Sequence, residues 1–151
     1  MDRLQDRIEQ DSIELDSRLE ELVRVGPWID ALADRLGFPE QKRFAIHLCM
    51  EEALANIILH GYRSEPGHPI VISSFVAAGT LSITIDDLAL HFSPIEFLPN
   101  SSNSDPNAAS LDSITPGGNG IRLLKHFSGS LRYERRLNGN RLTMAFPVPT
   151  E

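Results

Sequence analysis

Between Leu48 and Leu59 the chain is almost wholly apolar, broken only by Glu51, Glu52 and Asn56. A helix that is apolar around most of its girth is a buried helix. Polar groups inside such a run need partners or a cavity. The rest of the chain must therefore cover this segment, and three polar side chains must find a use within it.

The chain has 151 residues, of which 41% are apolar and 23% charged. That is enough for one domain, residues 1–151, with a core that needs no staples. The net charge of -7 argues against a nucleic-acid partner. No apolar run approaches the ~20 residues that span a bilayer, so no membrane partner is expected. Met1 to Asp11 is charged, without the apolar core of a signal peptide. The single cysteine, Cys49, excludes an internal disulfide and a multi-cysteine zinc site. A cytoplasmic protein is the expectation. Between Arg63 and Arg122 there is no Lys or Arg, only acids such as Glu65, Asp86, Asp87 and Asp112, whereas the C-terminal part is basic. This reads as one fold with two electrostatic faces.

Ile8 to Leu15 fits a first strand, with weak alternation. Leu19, Leu22, Val23, Trp28, Ile29, Leu32 and Leu36 recur at helical spacing. Gly26-Pro27 interrupts them, so a kink or a fresh helix start is expected there. Gly37 ends the helix, and Pro39 suits the first turn of a second, running to about His60. Ile70–Ala77 and Leu81–Asp86 alternate and are rich in β-branched residues, joined by Ala78-Gly79. From His91 to Gly120 there is little periodicity, and a loop this long in a small domain is functional or disordered. Ile121–Phe127 suits a short helix. Leu131–Arg136 and Arg141–Val148 make a closing hairpin around Leu137-Asn138-Gly139-Asn140. Helices on one face of a mixed, mostly antiparallel sheet give an α+β, two-layer α/β sandwich.

Three constellations can carry chemistry. Glu52 and Asn56, spaced i, i+4, share a helix face. The amide oxygen suits Mg²⁺, which keeps waters and binds substrate phosphates, and Glu52 can accept a proton from an attacking hydroxyl. The plain alternative is a solvated helix edge. Asp87, at a strand end, can accept a hydrogen bond from an exocyclic amine such as adenine's, or simply start a turn. Gly117-Gly118-Asn119-Gly120 before a helix start can cradle phosphate, or be no more than a flexible loop. The irregular segment before it, about 92–120, can fold over a nucleotide as a lid.

In order and spacing these segments resemble the three motif boxes of the GHKL superfamily, whose members include gyrase, Hsp90, histidine kinases and MutL. The closest look is to the anti-sigma regulatory serine kinases: Glu51-Glu52-Ala53-Leu54-Ala55-Asn56-Ile57-Ile58-Leu59-His60-Gly61-Tyr62-Arg63, Gly117-Gly118-Asn119-Gly120-Ile121 and Asn140-Arg141-Leu142-Thr143-Met144 carry it. The resemblance covers residues 8 to 148 and implies the Bergerat-type ATP-binding fold. It implies ATP and Mg²⁺ as cofactors. It assigns Glu52 as the general base, Asn56 as the magnesium ligand and Asp87 as the adenine-reading acid. Gly118 and Gly120 become the phosphate loop, Thr143 a hydroxyl near adenine, and Arg63 a charge on the phosphate side. One box departs from the pattern. Asp87-Leu88-Ala89 has alanine where the family has glycine, and Phe92-Ser93-Pro94 has serine where it has a second acid. If φ at Ala89 is positive, the substitution costs on the order of 1 kcal/mol.

The function implied is a serine/threonine protein kinase that regulates transcription by partner switching. Its partners would be a sigma factor and an antagonist protein phosphorylated on serine, and a homodimer is implied as well. The alternative is a degenerate module that binds a protein partner with weak or no nucleotide binding.

Overall fold

A computed structural model describes residues 9–89 and 130–149. Strand β1 (Glu9–Asp16) leads through a 3₁₀ segment (Leu19–Arg24) into helix α1 (Val25–Leu36). Helix α2 (Glu40–Asn56) follows and continues as one π-turn (Ile57–Gly61). Strands β2 (Pro69–Ala77), β3 (Thr80–Asp87), β4 (Ser130–Arg136) and β5 (Gly139–Pro147) complete the described elements. The five strands lie in the order β1-β2-β3-β5-β4, and every pairing is antiparallel.

Residue type explains most boundaries. Gly26-Pro27 falls in the first turn of α1, so the interruption is a fresh helix start: proline's missing N–H is harmless there. Gly37 takes the left-handed conformation (φ 76°), and its N–H and that of Phe38 close on the last carbonyls of α1. Pro39 caps α2 in extended conformation and stands just before the helix. The β2–β3 turn places both Ala78 (φ 51°) and Gly79 (φ 76°) in the left-handed region. That pairing matches the twist of the strands it joins.

Strand alternation then separates two faces. Ile70 and Ile72 of β2, Leu81, Ile83 and Ile85 of β3, and Leu142, Met144 and Phe146 of β5 are all buried. They form one core with Ile29, Leu32 and Ala33 of α1 and Ile46, Cys49, Met50, Ala53 and Leu54 of α2. Both helices therefore cover the same face, and the expected α+β two-layer sandwich is borne out. Trp28 packs partly buried on this core, and its indole N–H has no hydrogen-bond partner among the described residues. Helix α2 buries one face, from Ala45 to Asn56, and exposes Glu40, Gln41, Lys42 and Glu51, with Phe44 64% exposed. Among the described residues no helix is long and apolar enough to cross a membrane. The expected lid over about 92–120 and the short helix over 121–127 lie outside the described residues.

Candidate functional site

Asp87 is the last residue of β3, and it faces the helix side because it continues the alternation of Leu81, Ile83 and Ile85. It is only 5% exposed. Directly opposite on β5 stands Asn140, itself buried. Asn140 Nδ2 donates to Asp87 Oδ1 at 2.8 Å and to the Ala89 carbonyl at 2.7 Å. The Ala89 N–H also donates to Asp87 Oδ1, at 2.9 Å. The Tyr133 hydroxyl of β4 donates to Asn140 Oδ1. Both hydrogen bonds to Asp87 thus fall on one oxygen, and Oδ2 takes none among the described residues. Burial pushes the Asp87 carboxyl above the usual carboxylate range. The bonds from Asn140 and Ala89 and the charge of Arg135 pull the other way, while Asp86 adds to the rise.

Gly139 makes this contact possible. A Cβ there would stand 2.0 Å from the Asp87 carbonyl oxygen and 3.0 Å from the Leu88 Cα. The turn of the last hairpin is therefore Leu137-Asn138, and Gly139 and Asn140 already belong to β5. A shallow depression of 330 Å³ opens at this end of the sheet, lined in part by Asp87, Leu88, Gly139 and Asn140.

Ala89, where the resemblance expects glycine, is not among the described residues with positive φ. The expected backbone cost does not arise. Its side chain joins the core at 3% exposure.

Glu52 and Asn56 sit one turn apart on α2, Glu52 half-buried and Asn56 only 3% exposed. Asn56 Nδ2 has no hydrogen-bond partner among the described residues, and a buried orphan of this kind calls for a ligand, an ion or water. Since the amide can present either atom by rotation, an oxygen ligand for Mg²⁺ fits this position. Among the described residues no group of three or more His, Cys, Asp or Glu could hold a metal by itself. A metal here would be shared with phosphates and waters, as magnesium prefers. The helix widens into its π-turn directly after Asn56, and such turns cluster at functional sites.

Tyr62, which closes that π-turn by its N–H to the Ile57 carbonyl, ties the two halves together. Its hydroxyl donates to the Pro69 carbonyl at 2.8 Å and accepts the Leu88 N–H at 2.6 Å. The end of α2 is thereby fixed to the strand end that carries Asp87. Burial pushes the Tyr62 hydroxyl up to about 12, so it stays protonated. Arg63 follows, exposed, with φ 53°, and Ser64 has φ 63°. Two consecutive non-glycine residues in this region store strain, which tends to cluster at ligand sites.

The structure does not bring Thr143 to this cluster. It pairs with Thr84 and Arg132 on the sheet face away from the helices. The reason is the two-residue period: Leu142 and Met144 point into the core, so Thr143 cannot. Asn140 and Tyr62 are the residues the sequence reading passed over. The register of β5 against β3 would have found Asn140, since Asp87 and Asn140 close the same hairpin end. Gly118 and Gly120 lie outside the described residues.

A two-layer sandwich with an acid buried at a strand end and a Glu-Asn pair on the covering helix defines a nucleotide-binding class of domain. Residues 15–146 match the model of the histidine kinase-like ATPase domain, and the chain belongs to that family. It is also similar to the serine/threonine-protein kinase BtrW of Bordetella bronchiseptica, with 38% identity over 119 residues that cover 78% of this chain and 79% of BtrW. Both findings agree with the resemblance to GHKL serine kinases drawn from the motifs.

Proposed function

We propose that this chain is an ATP-dependent protein serine/threonine kinase that regulates transcription by partner switching. The observation that carries this reading is the Glu52–Asn56 pair, with the buried Asn56 Nδ2 unpaired among the described residues, on the helix that Tyr62 ties to the Asp87 strand end. The likeness to a serine/threonine kinase over most of both chains supports it.

Mg-ATP, when bound, supplies the phosphoryl group and the metal's charge. Asp87 Oδ2 accepts the amino group of adenine, and Ala89 lines the same position. Asn56 would hold the metal through its amide oxygen. Glu52 accepts the proton of the attacking serine hydroxyl, and Arg63 places a positive charge on the phosphate side. By the resemblance, Gly118 and Gly120 would supply the phosphate loop. Positioning and charge account for most phosphoryl-transfer catalysis, and these are the roles that a kinase requires. The serine belongs to an antagonist protein, a sigma factor competes for the same kinase, and the working unit is a cytoplasmic homodimer.

The test uses purified wild type and Glu52→Ala, radiolabelled ATP and soluble proteins of the host. Wild type should label a protein on serine. The variant should bind Mg-ADP with unchanged affinity, yet lose transfer by 100-fold or more, the scale of a positioned base. Equal labelling by both would remove Glu52 from the chemistry. Wild type that binds Mg-ATP but labels nothing would leave a partner-binding module in place of the kinase.

A further inference from the structure

Asp87 by itself does not choose among purines. A buried carboxylic acid that keeps its proton is a donor and suits a 6-oxo purine; the ionised form is an acceptor only and suits a 6-amino purine. Burial favours the first state. What opposes it is a set of donors on Oδ1, and Asn140 is the side chain among them.

We propose that Asn140, steadied by the Tyr133 hydroxyl and admitted by the bare Cα of Gly139, is the positioning residue that sets the base preference of this site. It fills one oxygen of Asp87 and leaves the other as a lone acceptor for an exocyclic amino group. This inference rests on the nucleotide reading above and deepens it.

An amide has one acceptor oxygen and two N–H donors. Here all three are used: Oδ1 accepts from Tyr133, and Nδ2 donates to Asp87 and to the Ala89 carbonyl. Rotated by half a turn, the amide could still donate to the Tyr133 hydroxyl oxygen, but it would lose both of its other bonds and set its oxygen against a carboxylate and a carbonyl while buried. The orientation is therefore forced. Its second bond, to the Ala89 carbonyl, holds the chain after Asp87 on one side, while the Tyr62 hydroxyl takes the Leu88 N–H. Asp87 is thus fixed in rotation, and the bonds from Asn140 and Ala89, with the charge of Arg135, favour its ionised form against burial and Asp86. Gly139 is necessary because any side chain there would strike the Asp87 carbonyl.

The experiment is calorimetry with Mg-ADP and Mg-IDP, which differ by an amino or oxo group at one ring position. Wild type should prefer ADP by on the order of 100-fold, the scale of one hydrogen bond to a charged group. In Asn140→Leu that ratio should fall at least tenfold, through weaker ADP binding with IDP unweakened. Tyr133→Phe keeps the ring and drops only the hydroxyl, so it serves if Asn140→Leu fails to fold. Its ratio should fall roughly threefold to tenfold, a smaller loss because the two acceptors still orient the amide. Asn140→Ser, which retains one donor, should recover part of the preference. A parallel fall for both nucleotides, or an unchanged ratio in the variants, would overturn the role of Asn140 while leaving the nucleotide site in place. Wild type that binds neither nucleotide would sink the nucleotide reading itself, and this inference with it.

Discussion

Asp87 carries a cost that the rest of the fold must offset. A carboxyl held above its ordinary value of 3.8 binds its proton more tightly in the folded protein than in the unfolded one. Stability is therefore highest below that value and falls as pH rises from there through the raised native pKa. Replacing Asp87 with Asn removes the cost while keeping an acceptor for Asn140 and the Ala89 N–H. The variant should melt at a higher temperature than wild type near neutral pH, and the gap should close on acidification, as differential scanning calorimetry across pH 3 to 8 would read. The same change should weaken Mg-ADP binding by about 10-fold or more, since hydrogen bonds to a charged group contribute about 1.5–3 kcal/mol. Asp87 was legible in the sequence as an acid ending an alternating strand. Thr143 was matched on residue type, although the alternation of Leu142, Met144 and Phe146 already sends it to the other face. Asn140 was hidden because Asn138-Gly139 reads as a turn tip, whereas the close approach of Asp87 draws Gly139 into the strand.

At the scale of the element, α2 combines a buried body with an end built for something else. Its apolar run announced the burial, and the i, i+4 pair announced a shared face. The π-turn after Asn56 left no mark in the sequence, because the widening depends on where Tyr62 anchors and not on local propensity. Asn56 is the place where this element trades stability for use. Asn56→Leu, of similar shape, removes a buried amide with an unpaired N–H. Stability should stay level or rise by up to about 1–3 kcal/mol, while Mg²⁺-dependent phosphoryl transfer is lost. Urea titration gives the first quantity and a kinase assay the second. A clear drop in stability would mean that the amide is well bonded in the free protein, contrary to its orphaned N–H.

For the whole molecule, the two-layer arrangement was the most legible property, since strand alternation and one buried helix leave few ways to pack. Its registers were less so, because they depend on turn positions. The core offers its own reporter. Cys49 is fully buried on α2, and burial pushes its thiol up to about 12. The thiolate that reacts with disulfide reagents is therefore scarce and shielded. Labelling of Cys49 in native protein should proceed only through opening of the core, slower than in urea by a factor near the unfolding equilibrium constant. Mg-ADP should slow it further by mass action. Fast labelling in the absence of denaturant would show that α2 separates from the sheet on its own.

Strands β3 and β4 do not pair with each other; each pairs with β5. The chain between them, residues 90–129, begins beside Asp87 and rejoins the sheet at its outer strand. Every described rung of β3 and β4 on this side runs to β5. The ladder itself therefore sets no length for the chain between Ala89 and Ser130, and closing a loop between two fixed ends costs only about 0.6 kcal/mol more for each doubling.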